Sequence, residues 1–168
     1  MKVFRLILLF LVFGCSSSKV VSDYDSNTTY SKYKTFNFYE DNGDNLNDFD
    51  VKRITNYITS KLKNDNLEQD NLPDFFIYFD TQTSTVRNNK SISIGLGNRN
   101  VGVSGGIPIE NNKVNEKLII KFIEANTNNL IWEGSLESKV RKKRSPEQRE
   151  AHLKVVVTQI LEQYPPSN

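Results

Sequence analysis

The sequence predicts an α+β fold: a two-layer sandwich with a mostly antiparallel sheet and two helices on one face. Three observations carry this. Segments of strand composition outnumber helical ones, and most are joined by short turns. Only two segments, over 51–62 and 153–164, repeat their apolar residues at helical spacing. With 37% hydrophobic and 11% aromatic residues, the chain has the side chains for one core. It carries 22 Lys and Arg against 20 Asp and Glu, and Lys2 and Arg5 fall in an apparent leader, so the remainder is neutral. Neutrality removes the usual electrostatic drive for nucleic-acid binding. A single Cys excludes an internal disulfide or a Cys-rich metal site, and a single His excludes the His-pair metal motifs.

Residues 1–14 read as a signal peptide. Met1 to Arg5 form a short positive segment, and Leu6 to Phe13 an unbroken apolar run of eight. A membrane span needs about 20 apolar residues, so this run fits a signal-peptide core instead. It closes on Val12-Phe13-Gly14-Cys15, which resembles the lipobox of bacterial lipoproteins. In such proteins the Cys sulfur receives diacylglycerol, cleavage precedes the Cys, and its freed amine is acylated. The resemblance makes Cys15 the lipidation residue. Residues 15–19 then form the lipidated Cys and a short tether, and 20–168 a single domain. Several acyl chains anchor firmly where one binds only marginally. Ser16 after the Cys, by resemblance to Gram-negative sorting rules, implies the outer membrane, and the tether's lack of early acidic residues implies its periplasmic face.

In the body of the chain, Lys19–Tyr24 and Tyr33–Tyr39 have strand composition, the second with period-two alternation. Glu40 to Asp48 is a loop of Asp, Asn and Gly. Val51, Ile54, Ile58 and Leu62 then fall on one helical stripe, with Asp48 as its expected N-cap. Asn64 to Leu72 closes that helix. Phe75–Phe79 has five consecutive apolar or aromatic residues and reads as a central strand buried on both faces. Thr81–Lys90 is polar. Ser91–Gly95 and Val101–Gly105 form the arms of a Gly-rich hairpin. Lys117–Ile123 and Leu130–Leu136 are strands flanking a turn at Asn126–Asn129. Ser145-Pro146-Glu147-Gln148 supplies a cap, a proline at the first helical position and a capping-box Gln. Leu153, Val156, Val157, Ile160, Leu161 and Tyr164 make the second stripe, which Pro165-Pro166 ends.

Asp23-Tyr24-Asp25, Tyr30-Ser31-Lys32-Tyr33-Lys34-Thr35-Phe36, Pro73-Asp74-Phe75, Leu130-Ile131-Trp132-Glu133-Gly134 and Tyr164-Pro165-Pro166 follow one another in a recognisable order. With the lipobox, they resemble the bacterial lipoprotein family DUF4136 over nearly the whole mature chain. That resemblance implies a two-layer α/β sandwich and an envelope location, and it implies no catalytic residue. Where the family usually carries Gly-Thr ahead of the strand leading to Trp-x-Gly, this chain has Asn115-Glu116. Trp132 alternates in phase with Leu130, Gly134 and Leu136, which points it at the core, and Gly134 would admit a neighbouring ring.

The search for chemistry yields little. His152 lies beside the last apolar stripe and is expected to face solvent. Gly95–Gly102 lacks the Gly-Lys-Ser/Thr ending and following helix that a phosphate cradle needs, and reads as a flexible hairpin or a flap. Asp41–Asp48 offers oxygen ligands at a spacing unlike an EF-hand. Asp23 and Asp25 are two apart on one strand face, and catalysis by them would require a raised pKa. Arg141, Lys142, Lys143 and Arg144 are the sharpest charge run. They read as a solvated loop or as a contact with an anionic membrane surface.

The expectation is therefore a non-enzymatic, lipid-anchored envelope protein with a binding or assembly role. It needs no cofactor or metal. Its partners are the membrane through Cys15 and another envelope protein or lipid, without nucleic acid. The alternative is a lipid or small-molecule carrier with a cleft between helices and sheet. A hydrolase using Asp23, Asp25 or a triad not recognisable from sequence is a minor third reading.

Overall fold

The computed structural model describes residues 19–85, 91–98, 101–108 and 112–166, the second and third of these as backbone strands. The leader, Cys15 and Ser16–Ser18 of the tether lie outside the described residues, as do 86–90 of the polar segment.

Among the described residues eight strands and two α-helices occur in chain order, with one 3-10 turn at Tyr30–Lys32. They are β1 (Val20–Tyr24), β2 (Thr35–Phe38), α1 (Asp48–Asn64), β3 (Glu68–Gln69), β4 (Phe75–Thr85), β5 (Ser91–Asn98), β6 (Val101–Pro108), β7 (Lys113–Glu124), β8 (Leu130–Arg141) and α2 (Pro146–Leu161). Six strands form one sheet in the order β1-β8-β7-β4-β2-β3, and β5 and β6 form a separate two-stranded ribbon. The expected α+β class and helix-on-sheet layering hold. The sheet is mixed, however: β1–β8, β8–β7 and β7–β4 are antiparallel, whereas β4–β2 and β2–β3 are parallel. The parallel part follows from α1, because a chain that returns along a helix re-enters the sheet in its original direction.

Alternation decides which residues face the helices. In β4, Phe75, Ile77 and Phe79 are buried while Phe76 and Tyr78 are half-exposed, so this central strand is covered on one face and not on both as expected. Register sets Ile77 opposite Phe122 and Phe79 opposite Ile120 in β7, and β8 places Trp132 opposite Phe122 and Leu136 opposite Leu118. Ile54, Ile58 and Leu62 of α1 and Val156, Val157 and Ile160 of α2 close the core from above. Each such side chain, fully removed from water, stabilises the fold by about 1.5–3 kcal/mol.

Local signals fix the helix ends. The side chain of Asn47, not Asp48, caps α1 by accepting from the Asp50 N–H, one residue earlier than expected. At the other end the Leu67 N–H donates to Leu62 O and the Asn66 N–H to Lys63 O, with Asn66 at φ 65°. This left-handed closure also tucks Leu67 into the core. In α2 Ser145 accepts from the Gln148 N–H, the Gln148 side chain accepts from the Ser145 N–H, and Pro146 opens the helix, as its sequence signature predicts.

Candidate functional site

The two helices begin side by side, and their first turns carry a buried ionic network. Asp50 lies in the first turn of α1 with no exposed surface. Its carboxylate accepts from Arg53 Nη1 (2.9 Å), Asn47 Nδ2 (2.7 Å) and Arg149 Nε (2.9 Å), with a further contact to Arg149 Nη2. Arg149 belongs to α2, so the carboxylate ties one helix to the other. Burial alone would raise the Asp50 pKa, but the bonds from Arg149, Arg53 and Asn47 outweigh it and hold it below the ordinary value.

A second carboxylate lies one layer down. Glu116 of β7 accepts from Arg144 Nη2 at 2.6 Å and Nη1 at 3.3 Å, and His152 Nε2 stands 3.5 Å from its Oε1. Burial opposes its ionisation, yet His152 and Arg144 bring its pKa down to about 2. The cationic run is thus divided. Arg141, Lys142 and Lys143 are exposed, whereas the Arg144 side chain is only 9% exposed and is committed to Glu116. Its Nε has no partner among the described residues. His152 is half-buried against Glu116 and not turned to solvent as expected: position 116 has the same strand parity as the core residues 118, 120 and 122, which brings its carboxylate under α2.

Between the helix starts is a cleft of about 380 Å³ lined by Asn47, Phe49, Asp50, Arg53, Arg144 and Arg149. Phe49 forms an apolar rim, 74% exposed. Inside, Arg53 faces Asp50 and also Glu150 (3.7 Å), Arg149 faces Asp50, and Arg144 faces Glu116. Every guanidinium therefore meets a carboxylate. Such an arrangement ties the starts of the two helices to each other and to the sheet.

At the opposite end, Trp132, Phe122, Phe75 and Tyr164 stack edge and face on one another. Gly134 is required there: a Cβ on it would lie 2.5 Å from Trp132 Cη2 and 2.7 Å from Ile160 Cγ2, so the indole lies over a residue without a side chain, as the sequence predicts. The interface where a carrier's cleft was expected is filled by these rings and by Ile160, all buried. A smaller groove of about 290 Å³ sits at the edge, lined by Asp23, Tyr24, Asp25, Leu130 and Ile131. The Tyr30 hydroxyl donates to Ile131 O beside it, and burial pushes this phenol up to about 12. Asp25 accepts from the Asn27 N–H and the Thr28 hydroxyl, which lower its pKa, the direction opposite to that of a general acid.

The Asp41–Asp48 loop turns its amides inward. Asn42 Oδ1 accepts from the Phe79 N–H at 2.6 Å, its Nδ2 donates to Tyr39 O, and the Asn45 amide donates to Asp80. Among the described residues no group of three or more His, Cys, Asp or Glu is placed to hold a metal ion.

Two solved structures share the fold. One is a PDZ domain protein from Parabacteroides distasonis ATCC 8503, with TM-score 0.60 and 16% identity over 89% of this chain and 36% of that one. The chain thus spans about a third of that protein's length. The other is a single-residue variant of PelC from Paraburkholderia phytofirmans, a dodecamer, with TM-score 0.50 and 5% identity over 85% of this chain and 95% of that one. No protein of curated function matches the sequence. A family model matches residues 20–166, nearly the whole of this sandwich, and the chain belongs to that family, Domain of unknown function (DUF4136).

Proposed function

We propose that this chain is an envelope lipoprotein, acylated on Cys15, held on the periplasmic side of the outer membrane, with a non-catalytic binding or assembly role. The observation that carries this is the leader: a positive start, eight apolar residues and Gly14-Cys15, followed after a short tether by β1. Among the described residues no helix is long and apolar enough to cross a membrane, so a covalent lipid would supply the attachment. The buried carboxylates are spent on arginines, which favours binding over catalysis. β1 is an edge strand with Val21 and Tyr24 exposed, a surface on which another protein can dock. The dodecameric state of the PelC protein, which shares the fold, makes self-assembly one form of that role.

Labelling of cells with a radioactive or clickable fatty acid tests the anchor. Label should appear on the wild-type protein and vanish in Cys15→Ala, with the variant accumulating as precursor or leaving the membrane fraction. Label retained by Cys15→Ala would overturn the reading.

A further inference from the structure

β1 leaves half of its backbone groups unpaired. The Asp25 N–H donates to Ile131 O at 3.0 Å, one step beyond the Tyr24–Trp132 pair of the β1–β8 ladder. In an antiparallel ladder such bonds fall on alternate residues. Val21, Asp23 and Asp25 therefore bond to β8, while Val20, Ser22 and Tyr24 turn their N–H and C=O groups away from it. Among the described residues no strand pairs with that outer side. An open edge of this kind accepts any passing strand unless something blunts it.

Asp23 is the device that blunts it. Its Oδ1 accepts from the Tyr24 N–H at 2.9 Å, so a charge from the same strand covers an outward donor. A neutral strand adding here must displace that carboxylate and leave it without a partner, and an acidic strand meets it with like charge. A cation on the incoming strand instead takes up the carboxylate and frees the Tyr24 N–H for a new ladder.

The surroundings select the same charge. The groove of about 290 Å³ at the Tyr24 end of β1 is lined by three carboxylates, Asp23, Asp25 and Glu133, and by no cation. Asp23 and Glu133 stand directly opposite each other in the register, a like-charge pairing that weakens a sheet. Lys121 of β7 reaches Glu133 at 3.4 Å from the other side. Asp23 and Asp25 make no ion pair among the described residues. Tyr24 and Leu130 are exposed and offer apolar surface to the stem of a long basic side chain. Trp132 also lines the groove, and its indole N–H is buried with no acceptor among the described residues. A buried donor left in this way is a place for an acceptor brought from outside.

We infer that the edge of β1 takes an extended, basic segment of another protein, added to the sheet as a further strand, with a Lys or Arg side chain seated in the groove against Asp23 and Asp25. The inference rests on the proposed binding role and names the chemistry of the partner.

Fluorescence anisotropy of labelled, end-blocked peptides tests it, with the full chain in detergent. The probes are Thr-Val-Lys-Val-Lys-Val-Thr and the same peptide with both Lys replaced by Gln. An exposed ion pair strengthens binding by up to about fivefold. With two free carboxylates the Lys peptide should bind about tenfold more tightly than the Gln peptide at low salt, and the gap should close as salt rises. Asp23→Asn should shrink the gap to about twofold. Ser22→Pro removes an outward N–H without breaking a bond to β8, a change that edge strands tolerate, and should abolish binding of both peptides. Equal affinity for the two peptides, lost in Ser22→Pro, would refute the cationic partner and leave the edge a protein-binding surface. No binding by the parent, or binding unchanged in both variants, would refute the docking edge itself. Neither result bears on the anchor, which fatty-acid labelling reads. Self-association of the peptide-free chain that Ser22→Pro abolishes would assign the edge to a second copy and overturn the separate partner.

Discussion

Replacing Asp50 by Ala removes the bond between the two helices at its centre. The carboxylate has no exposed surface and accepts from two guanidinium groups and one amide. Breaking a buried ion pair from one side costs about 3–5 kcal/mol, because the partner charge is left desolvated. Here the partners are not fully buried: Arg53 and Arg149 keep 23% and 31% of their side-chain surface. They can turn part-way to water, which places the cost near the lower bound, about 3 kcal/mol. For a domain of this size each kcal/mol moves the midpoint of thermal unfolding by about 2–4 °C, so a drop of about 6–12 °C is expected. The assay is urea unfolding followed by the fluorescence of Trp132, the sole and fully buried tryptophan. Arg149→Ala and Arg53→Ala complete two double-mutant cycles with Asp50→Ala, and the coupling to Arg149, which reaches the carboxylate through two nitrogens, should be the larger. A loss below about 1 kcal/mol in Asp50→Ala, with no coupling to Arg149, would mean a pair worth no more than one on the surface. The reading of the network as the joint between α1 and α2 would then fail.

Two further outcomes follow from the packing and the charges. Gly134→Ala forces a methyl to within 2.5 Å of the Trp132 ring and 2.7 Å of Ile160, and should destabilise by about 1–3 kcal/mol with a changed near-ultraviolet signal from the indole. A stable variant with an unaltered signal would show that ring to be free to move. Stability should also fall in acid, since Glu116 and Asp50 both have lowered pKa values in the fold, Glu116 from 4.5 to about 2. The unfolded chain binds protons first, so their contribution is complete above the unfolded values and lost as pH falls from about 4.5 towards 2. Urea midpoints against pH should flatten across that window in Glu116→Gln, and an unchanged slope would refute the assignment.

How much of this was legible depended on whether a signal was local. The cap, proline and capping box of α2 lie within four residues, and the alternation of β7 and β8 within eight, so both were readable. The parallel pairing of β2 with β4 was not, because nothing in Thr35–Phe38 states which neighbour it takes. β3, two polar residues, carries no pattern at all. The ionic network did leave a trace. Continued one turn backward, the α1 stripe 54-58-62 reaches Asp50, and the α2 stripe reaches Arg149 from Leu153. Charges of opposite sign on the buried faces of two helices are a pairing signal that a search for catalytic motifs passes over. Glu116 was hinted at as well, standing where the family usually has Gly-Thr. Arg144 looked like its three cationic neighbours, and only the fold separates it from them.

That separation decides where on this domain an anionic partner can bind. The starts of α1 and α2 have the ingredients of an anion site: three arginines and two helix N-termini, each equivalent to about half a positive charge. Yet Arg53, Arg144 and Arg149 face Asp50, Glu116 and Glu150, and Asn47 and Ser145 each satisfy an N-terminal amide of their helix. An anion entering the cleft would have to displace a carboxylate already bound at hydrogen-bond distance and buried with it, with no surplus charge to recompense the exchange. At the end of β8 Arg141, Lys142 and Lys143 are exposed and have no such commitment among the described residues. The same stretch of sequence thus supplies one arginine that holds the fold and three cations that stay exposed beside it. The division falls between Lys143 and Arg144, in the turn that joins β8 to α2.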